Sequence, residues 1–290
     1  MEQMRITTFL SHAKWILSGE HSVIRGGKAI AFPLNIYINS MSLEDSNNFS
    51  LVSDQEVLSK DALKLIDIGA DFLNIDPKAV KGKIKITNDI PIKTGLGSSA
   101  ALCVNVAKIF QYYGYCDDIF PLAMRLEDVF HGKSSGLDIA VTLNNKPVIY
   151  HNNKVLEFFS PSFWPTMVLT HSGEKSSTAE CTEKVQQFFL KDSMQAKKLD
   201  DLMSLSSDLC ENALKISDFG RLKDGINLAN KVFCQWGLCN QTLKTHIDDL
   251  ILAGAVAAKP VGSGLGGYVL SLWEDTPKNC DGIYLTLEKP

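Results

Sequence analysis

An excess of positive charge is the first thing this sequence lacks. Its 29 lysines and arginines are outnumbered by 33 acidic residues, for a formal net charge of −4. The two signs are mixed along the chain, which excludes the basic stripe that nucleic-acid binding requires. A small anionic ligand would have to be held by local groups. Also missing is any C-x-x-C pair. The seven cysteines (Cys103, Cys116, Cys181, Cys210, Cys234, Cys239 and Cys280) are odd in number and scattered, which fits reduced thiols and not a disulfide framework or a zinc site. There is no membrane-length apolar run: the longest, "LILAGAVAA" at 250–258, is about half a span. The opening "MEQMRITTFLSHAKW" has none of the charged-then-apolar layout of a signal peptide. The expectation is a cytoplasmic protein with neither membrane nor nucleic acid as partner, and the chain has no internal repeats or low-complexity tract.

What is present is ordinary globular material, 45% hydrophobic and 21% charged. The first forty or so residues alternate apolar stretches with glycine breaks and read as strands and hairpins. Helical spacing covers 54–74, and period-two alternation in "GKIKITNDI" predicts a strand over 82–90. A helix is expected from Ser98 and a second over 119–131, broken by "HGKSSG" before the apolar pattern resumes in "LDIAVTL". "KPVIYH" and "KVLEFF" read as hairpin strands, and the prolines of "SPSFWP" (160–165) mark a domain boundary. Beyond them come a strand, "TMVLTH", helical material from about 178 to 258, and a final helix, glycine loop and strand. Strands and helices come in clusters, so the class is α+β, with domains at 1–160 and 161–290.

Two glycine-rich stretches compete as phosphate loops. Gly262–Gly267, "GSGLGG", matches G-x-G-x-x-G. A dinucleotide fingerprint, however, follows a strand and opens a helix, and a protein kinase needs its catalytic loop downstream, where no chain is left. A classical P-loop fails too, since "GKS" at 132–134 has Glu127 at the first glycine position. That leaves "PIKTGLGSSAAL" (91–102). Placed between a strand and a helix N-terminus, it offers free N–H donors, a positive dipole and close backbone approach to an anion. The plainer reading is a tight turn with Ser98 or Ser99 as N-cap.

This stretch resembles the central signature of the GHMP kinases, P-x-x-x-G-L-G-S-S-A-A. Two further motifs of that family are present in order. "KWILSGEHSV" from Lys14 is similar to the first motif in its mevalonate-kinase form, and "KPVGSGLGGYVLSL" from Lys259 is similar to the third. "EDVFHGKSSGLDIAV" (127–141) resembles the E-R-x-x-H-G-x-P-S-G-x-D segment of the mevalonate kinases. The resemblance spans essentially the whole chain. It implies a two-domain fold, with an N-terminal α/β domain like the second domain of ribosomal protein S5, a ferredoxin-like C-terminal domain, and an active site in the cleft between them.

The same resemblance implies ATP and Mg²⁺ as cofactors, mevalonate as the small-molecule acceptor, and room for a homodimer. Gly95, Leu96, Gly97, Ser98 and Ser99 then hold the nucleotide phosphates, Ser99 and Glu127 the metal. Asp138 receives the proton of the attacking hydroxyl, and Lys14 reaches toward the γ-phosphate. Glu20 and His21, and Thr178 of "THSGEKSST", fall on the acceptor side. Each has a plainer reading: Glu127 a solvated surface charge, Asp138 a helix cap, His21 a structural histidine, Thr178 part of a Ser/Thr-rich loop. The chain departs from the pattern at His12-Ala13, where the mevalonate kinases have Pro-Gly, at Ser134, where proline is common, and at Pro260-Val261 in the third motif. Alternatives are another GHMP kinase, for phosphomevalonate or a sugar, and a silent binding protein on the same fold. The silent reading predicts loss of Lys14, Glu127 or Asp138, and all three are present. A diphosphomevalonate decarboxylase would lack the 127–138 segment.

Overall fold

The computed structural model describes residues 5–286. In chain order its elements are β1 (Ile6–Ser18), β2 (Ala29–Glu44), β3 (Ser50–Ser53), α1 (Glu56–Phe72), β4 (Lys83–Asn88), α2 (Ser98–Tyr112), α3 (Ile119–His131) and α4 (Leu137–Asn144). There follow β5 (Val148–His151), β6 (Lys154–Phe158), β7 (Thr166–His171), α5 (Thr178–Lys191), α6 (Ser193–Ile216), α7 (Phe219–Gln235), α8 (Gln241–Leu252), β8 (Ala257–Pro260), β9 (Tyr268–Trp273) and β10 (Ile283–Tyr284). The chain divides into two compact units that interleave in sequence. One takes the chain up to Lys14, then 33–92 and 97–145; the other takes 15–32, 93–96 and everything from Lys146. They interleave because β1 and β2 each run from one unit into the other.

In the first unit β2 pairs antiparallel with β4, from Asn39↔Asn88 to Glu44↔Lys83, and β3 lies parallel to β4. Strand β4 alternates exposed and buried residues, so Ile84 and Ile86 face the core. Met41 and Leu43 of β2, Leu58, Leu65 and Ile66 of α1, Val106 and Phe110 of α2 and Leu122 of α3 complete that layer. Inside it runs a buried polar chain. Ser11 Oγ donates to Asn105 Oδ1 (2.7 Å), and Asn105 Nδ2 donates to both the backbone and side-chain oxygens of Asn39 (2.9 and 2.8 Å). Asn39 Nδ2 in turn donates to Asn88 Oδ1 (3.2 Å). These bonds tie α2 to β1, β2 and β4 at fixed register.

The second unit has its own antiparallel sheet in the order β10-β7-β9-β8, and the hairpin of β5 and β6 paired to the first residues of β2. Its helical core joins Cys181 and Val185 of α5, Leu199 and Met203 of α6, and Ala229, Val232 and Phe233 of α7, with Trp236 and Leu238 just beyond. A second cluster packs Leu243, Ile247 and Leu250 of α8 on Val168, Ala258 and Val269 of the sheet. The ion pair of Lys259 Nζ with Glu20 Oε1 (2.5 Å) is fully buried here. Beside it His21 Nε2 donates to the Ser263 carbonyl (2.8 Å), with its ring edge-on to Phe233 and Trp236. Burial, opposed by the Ser263 bond and aided by the charge of Arg25, lowers the His21 pKa to about 4.

The expected strands and helices are found, with one correction. The helix over "LILAGAVAA" stops at Leu252, and Ala257–Pro260 form strand β8, because Gly254 sits at φ 108° and Ala257 pairs with Leu272. The final glycine loop therefore joins two antiparallel strands, and no helix opens from it. The short strands β3 and β10 carry no alternation long enough to read from sequence. Among the described residues no helix is long and apolar enough to cross a membrane.

Two stability effects follow. Asn105→Ala leaves Ser11 and Asn39 without their buried partner, and we expect a loss of about 2–4 kcal/mol in urea unfolding; a loss under about 1 kcal/mol would show the chain of bonds to be dispensable. His21 is held neutral, so its contribution is complete above the unfolded value near 6.5 and is lost as pH falls through about 4. Between pH 7 and pH 5 this amounts to about 2 kcal/mol. Unfolding of His21→Asn should show a shallower acid slope than wild type, and an unchanged slope would assign the acid sensitivity elsewhere.

Candidate active site

Helix α1 begins at Gln55 on extended backbone with no side-chain cap bond, and the other seven helix starts fall into two kinds. Asp118, Ser177, Asp192, Asp218 and Asn240 cap α3, α5, α6, α7 and α8 with side-chain oxygens on first-turn amides. Helices α2 and α4 begin instead on Gly97 (φ 81°) and Gly136 (φ 82°), with no side-chain cap bond. Ser98 and Ser99 are thus the first two helical residues of α2 and cap nothing, so the plain N-cap reading of this turn fails. The first-turn amides of α2 are left for another acceptor, at the positive end of the helix.

Lys14, the last residue of β1 in the first unit, lies under this turn. A Cβ on Gly97 would come within 2.8 Å of Lys14 Cγ and 3.0 Å of Cε, so only glycine lets the turn close over the lysine stem. Lys14 is 2% exposed, and its Nζ is 2.8 Å from Asp138 Oδ2 in the first turn of α4. The unusual His12-Ala13 before the lysine does not keep it from this pairing. Asp138 is partly exposed and is not the cap of α4.

Glu127, on α3, is 1% exposed, which removes its reading as a surface charge. Its Oε2 accepts from Ser134 Oγ (2.5 Å). Its Oε1 has no hydrogen-bond partner among the described residues and lies 3.8 Å from His131 Nε2, which is itself 3.2 Å from Ser99 Oγ. Burial and then the neighbouring negative Asp138 push the Glu127 carboxyl up to about 8, against the pull of Ser134 and Lys14. Burial also lowers the His131 pKa, opposed by Asp138. A buried carboxylate with an unsatisfied oxygen and a like charge nearby is unfavourable alone and becomes favourable beside a cation. The donors are a carboxylate and a hydroxyl, the oxygen set of a hard divalent ion. Among the described residues there is no group of three or more His, Cys, Asp or Glu able to hold a metal. The protein can therefore offer a few hard oxygens to a divalent cation.

The structure thus brings Lys14, Ser99, Glu127 and Asp138 together in the first unit. Gly95 and Leu96 lie in the second, where Gly95 packs on the third glycine motif: a Cβ on it would meet the Val261 carbonyl at 2.7 Å, and one on Gly262 would meet Gly95 Cα at 2.8 Å. A Cβ on Gly267 would meet the Thr94 carbonyl at 2.6 Å. The third motif is glycine-rich because backbone packs on backbone there. Glu20 and His21 sit in the buried knot with Lys259 and Ser263, and Thr178 opens α5, half-buried, next to its cap Ser177. Sequence reasoning passed over His131 and Ser134 as functional residues. His131 was within reach, since four positions after Glu127 on one helix puts it on the same face.

Residues 59–146 match the model for the GHMP kinases N terminal domain. A mevalonate kinase of Thermococcus sibiricus is 25% identical, over 90% of this chain and 87% of its own length. In structure the chain resembles a mevalonate kinase from L. major in complex with R-mevalonate, with a TM-score of 0.75 and 22% identity over 93% of this chain and 88% of that one. A Streptococcus pneumoniae phosphomevalonate kinase in complex with phosphomevalonate and AMPPNP reaches 0.77 at 15% identity, over 93% of each chain. The fold is that of the GHMP kinases and does not by itself separate these acceptors. Family model, relatives and fold converge: residues 59–146 match the GHMP kinases N terminal domain, and the relatives this chain resembles along nine-tenths of its length are mevalonate kinases.

Proposed function

We propose that the protein is an ATP-dependent mevalonate kinase, moving the γ-phosphate of ATP to the 5-hydroxyl of mevalonate. The observation that carries this reading is the Lys14–Asp138 pair set beside the uncapped start of α2, with Ser99 and Glu127 next to it. Phosphoryl transfer asks for positioning and charge neutralisation more than covalent chemistry. In this reading the backbone of Gly95, Leu96, Gly97 and Ser98 binds the nucleotide phosphates, and the α2 dipole favours their charge. Ser99 and Glu127 hold Mg²⁺, which supplies neutralising charge to the phosphate oxygens when bound. Asp138 accepts the proton of the attacking hydroxyl, and Lys14 fixes one of its oxygens while offering positive charge to the transferring group.

Glu20, His21 and Thr178 are assigned to the acceptor side, Glu20 held in place through Lys259. By sequence, residues 1–160 are assigned the nucleotide-binding role and 161–290 the second part, a division that the interleaved compact units cross, and the enzyme is assigned to the cytoplasm. Curated relatives named mevalonate kinase support the acceptor assignment.

The test is ADP release with MgATP and, in turn, mevalonate, phosphomevalonate, galactose and homoserine. Turnover with mevalonate is expected, and turnover confined to another of the four would overturn the acceptor while keeping the phosphoryl-transfer reading. Asp138→Asn should lose about 10²–10⁴-fold in kcat while retaining nucleotide binding by calorimetry. Near-normal turnover of that variant would remove Asp138 from proton transfer.

A further inference from the structure

The segment between α3 and α4 carries Ser134, whose backbone N–H and hydroxyl are both engaged. Its backbone N–H donates to Asp128 Oδ1 at 2.7 Å. Its hydroxyl accepts from the Gly136 N–H at 3.1 Å and lies 2.5 Å from Glu127 Oε2. A serine hydroxyl has one proton. With Gly136 donating to the oxygen, that proton is directed to Glu127. Ser134 therefore ties the end of α3 to the start of α4 and holds one particular oxygen of a buried carboxylate.

The other oxygen, Oε1, is the one without a hydrogen-bond partner among the described residues. It faces His131 Nε2, the same nitrogen that Ser99 Oγ approaches. A glutamate's terminal torsion is broad and roughly two-fold, so an untethered carboxylate would present either oxygen in a range of orientations. The tether removes that freedom. We propose that Ser134 is a positioning residue for the magnesium site, pinning Glu127 Oε2 so that Oε1 is presented to a cation shared with Ser99. This rests on Glu127 being a metal ligand, and the role is peculiar to a chain with a hydroxyl at this position, since proline has none to donate. Hydrogen-bonded partners of metal ligands typically govern affinity by 10–100-fold.

The experiment measures Mn²⁺ binding by electron paramagnetic resonance, with a non-hydrolysable ATP analogue present, for wild type, Ser134→Ala, Ser134→Thr and Glu127→Gln. Ser134→Ala should weaken Mn²⁺ by about tenfold or more, with metal-free nucleotide binding and the acceptor KM unmoved and the Mg²⁺ requirement for turnover raised in parallel. Ser134→Thr, which keeps the hydroxyl, should bind Mn²⁺ as wild type does. Where Ser134→Ala melts well below wild type, the near-isosteric weak donor Ser134→Cys replaces it, with weakened Mn²⁺ binding again expected. Wild-type metal affinity in the hydroxyl-deficient variant, or equal loss in Ala and Thr, overturns the role of Ser134. Should Glu127→Gln leave Mn²⁺ binding unchanged, the metal assignment itself fails and the proposal with it. A strong effect of Glu127→Gln beside a silent Ser134→Ala sinks the positioning role alone.

Discussion

The ion pair between Lys14 Nζ and Asp138 Oδ2 joins β1 to the first turn of α4, and the rest of the candidate site is built around it. A lysine almost wholly withdrawn from water needs a partner, and poor screening there strengthens the attraction to the one it has. The same lysine stem lies against the turn that starts α2, where any side chain at position 97 would strike it. One buried cation thus sets the spacing of a strand and two helix starts. Glu127 is the counterpart on the third helix: its charge is disfavoured by burial and by Asp138, and only partly relieved by Ser134 and Lys14. A bound cation would favour the ionised form of Glu127 that burial and Asp138 disfavour.

The division of helix starts expresses a compromise between stability and function. A side-chain cap is typically worth about 1 kcal/mol, and five helices take it. The helices that carry Ser99 and Asp138 forgo it and begin on left-handed glycines. Their stability comes instead from packing, and for α2 from the polar chain through Asn105 that ties it to three strands. Such a network is worth its desolvation because every bond in it also fixes the register of the helix whose first turn matters.

Similar glycine-rich wording serves two purposes in this chain. At Gly97 the glycine permits a left-handed turn over a lysine. At Gly262 and Gly267 it permits two stretches of backbone to touch. Composition alone does not separate these uses, because both demand the absence of a Cβ. What separates them is the neighbour that the missing Cβ would have met, and that neighbour is supplied by residues far away in sequence.

By itself the sequence determined most of the element order, the α+β class, the strand–turn–helix setting of Gly95–Ser99 and the motif residues Lys14, Glu127 and Asp138, because periodicity, glycine breaks and motif spacing are local properties. It misread the stretch after Leu252, where alanines that suit a helix are drawn into β8 by pairing with β9, and it passed over two strands too short to alternate. Only the tertiary structure decided that Glu127 is buried, which of its oxygens Ser134 holds, and that Glu20 is paired to Lys259, 239 positions away. Burial and long-range pairing depend on which distant segments the folded chain brings together, and no local pattern of residues encodes that.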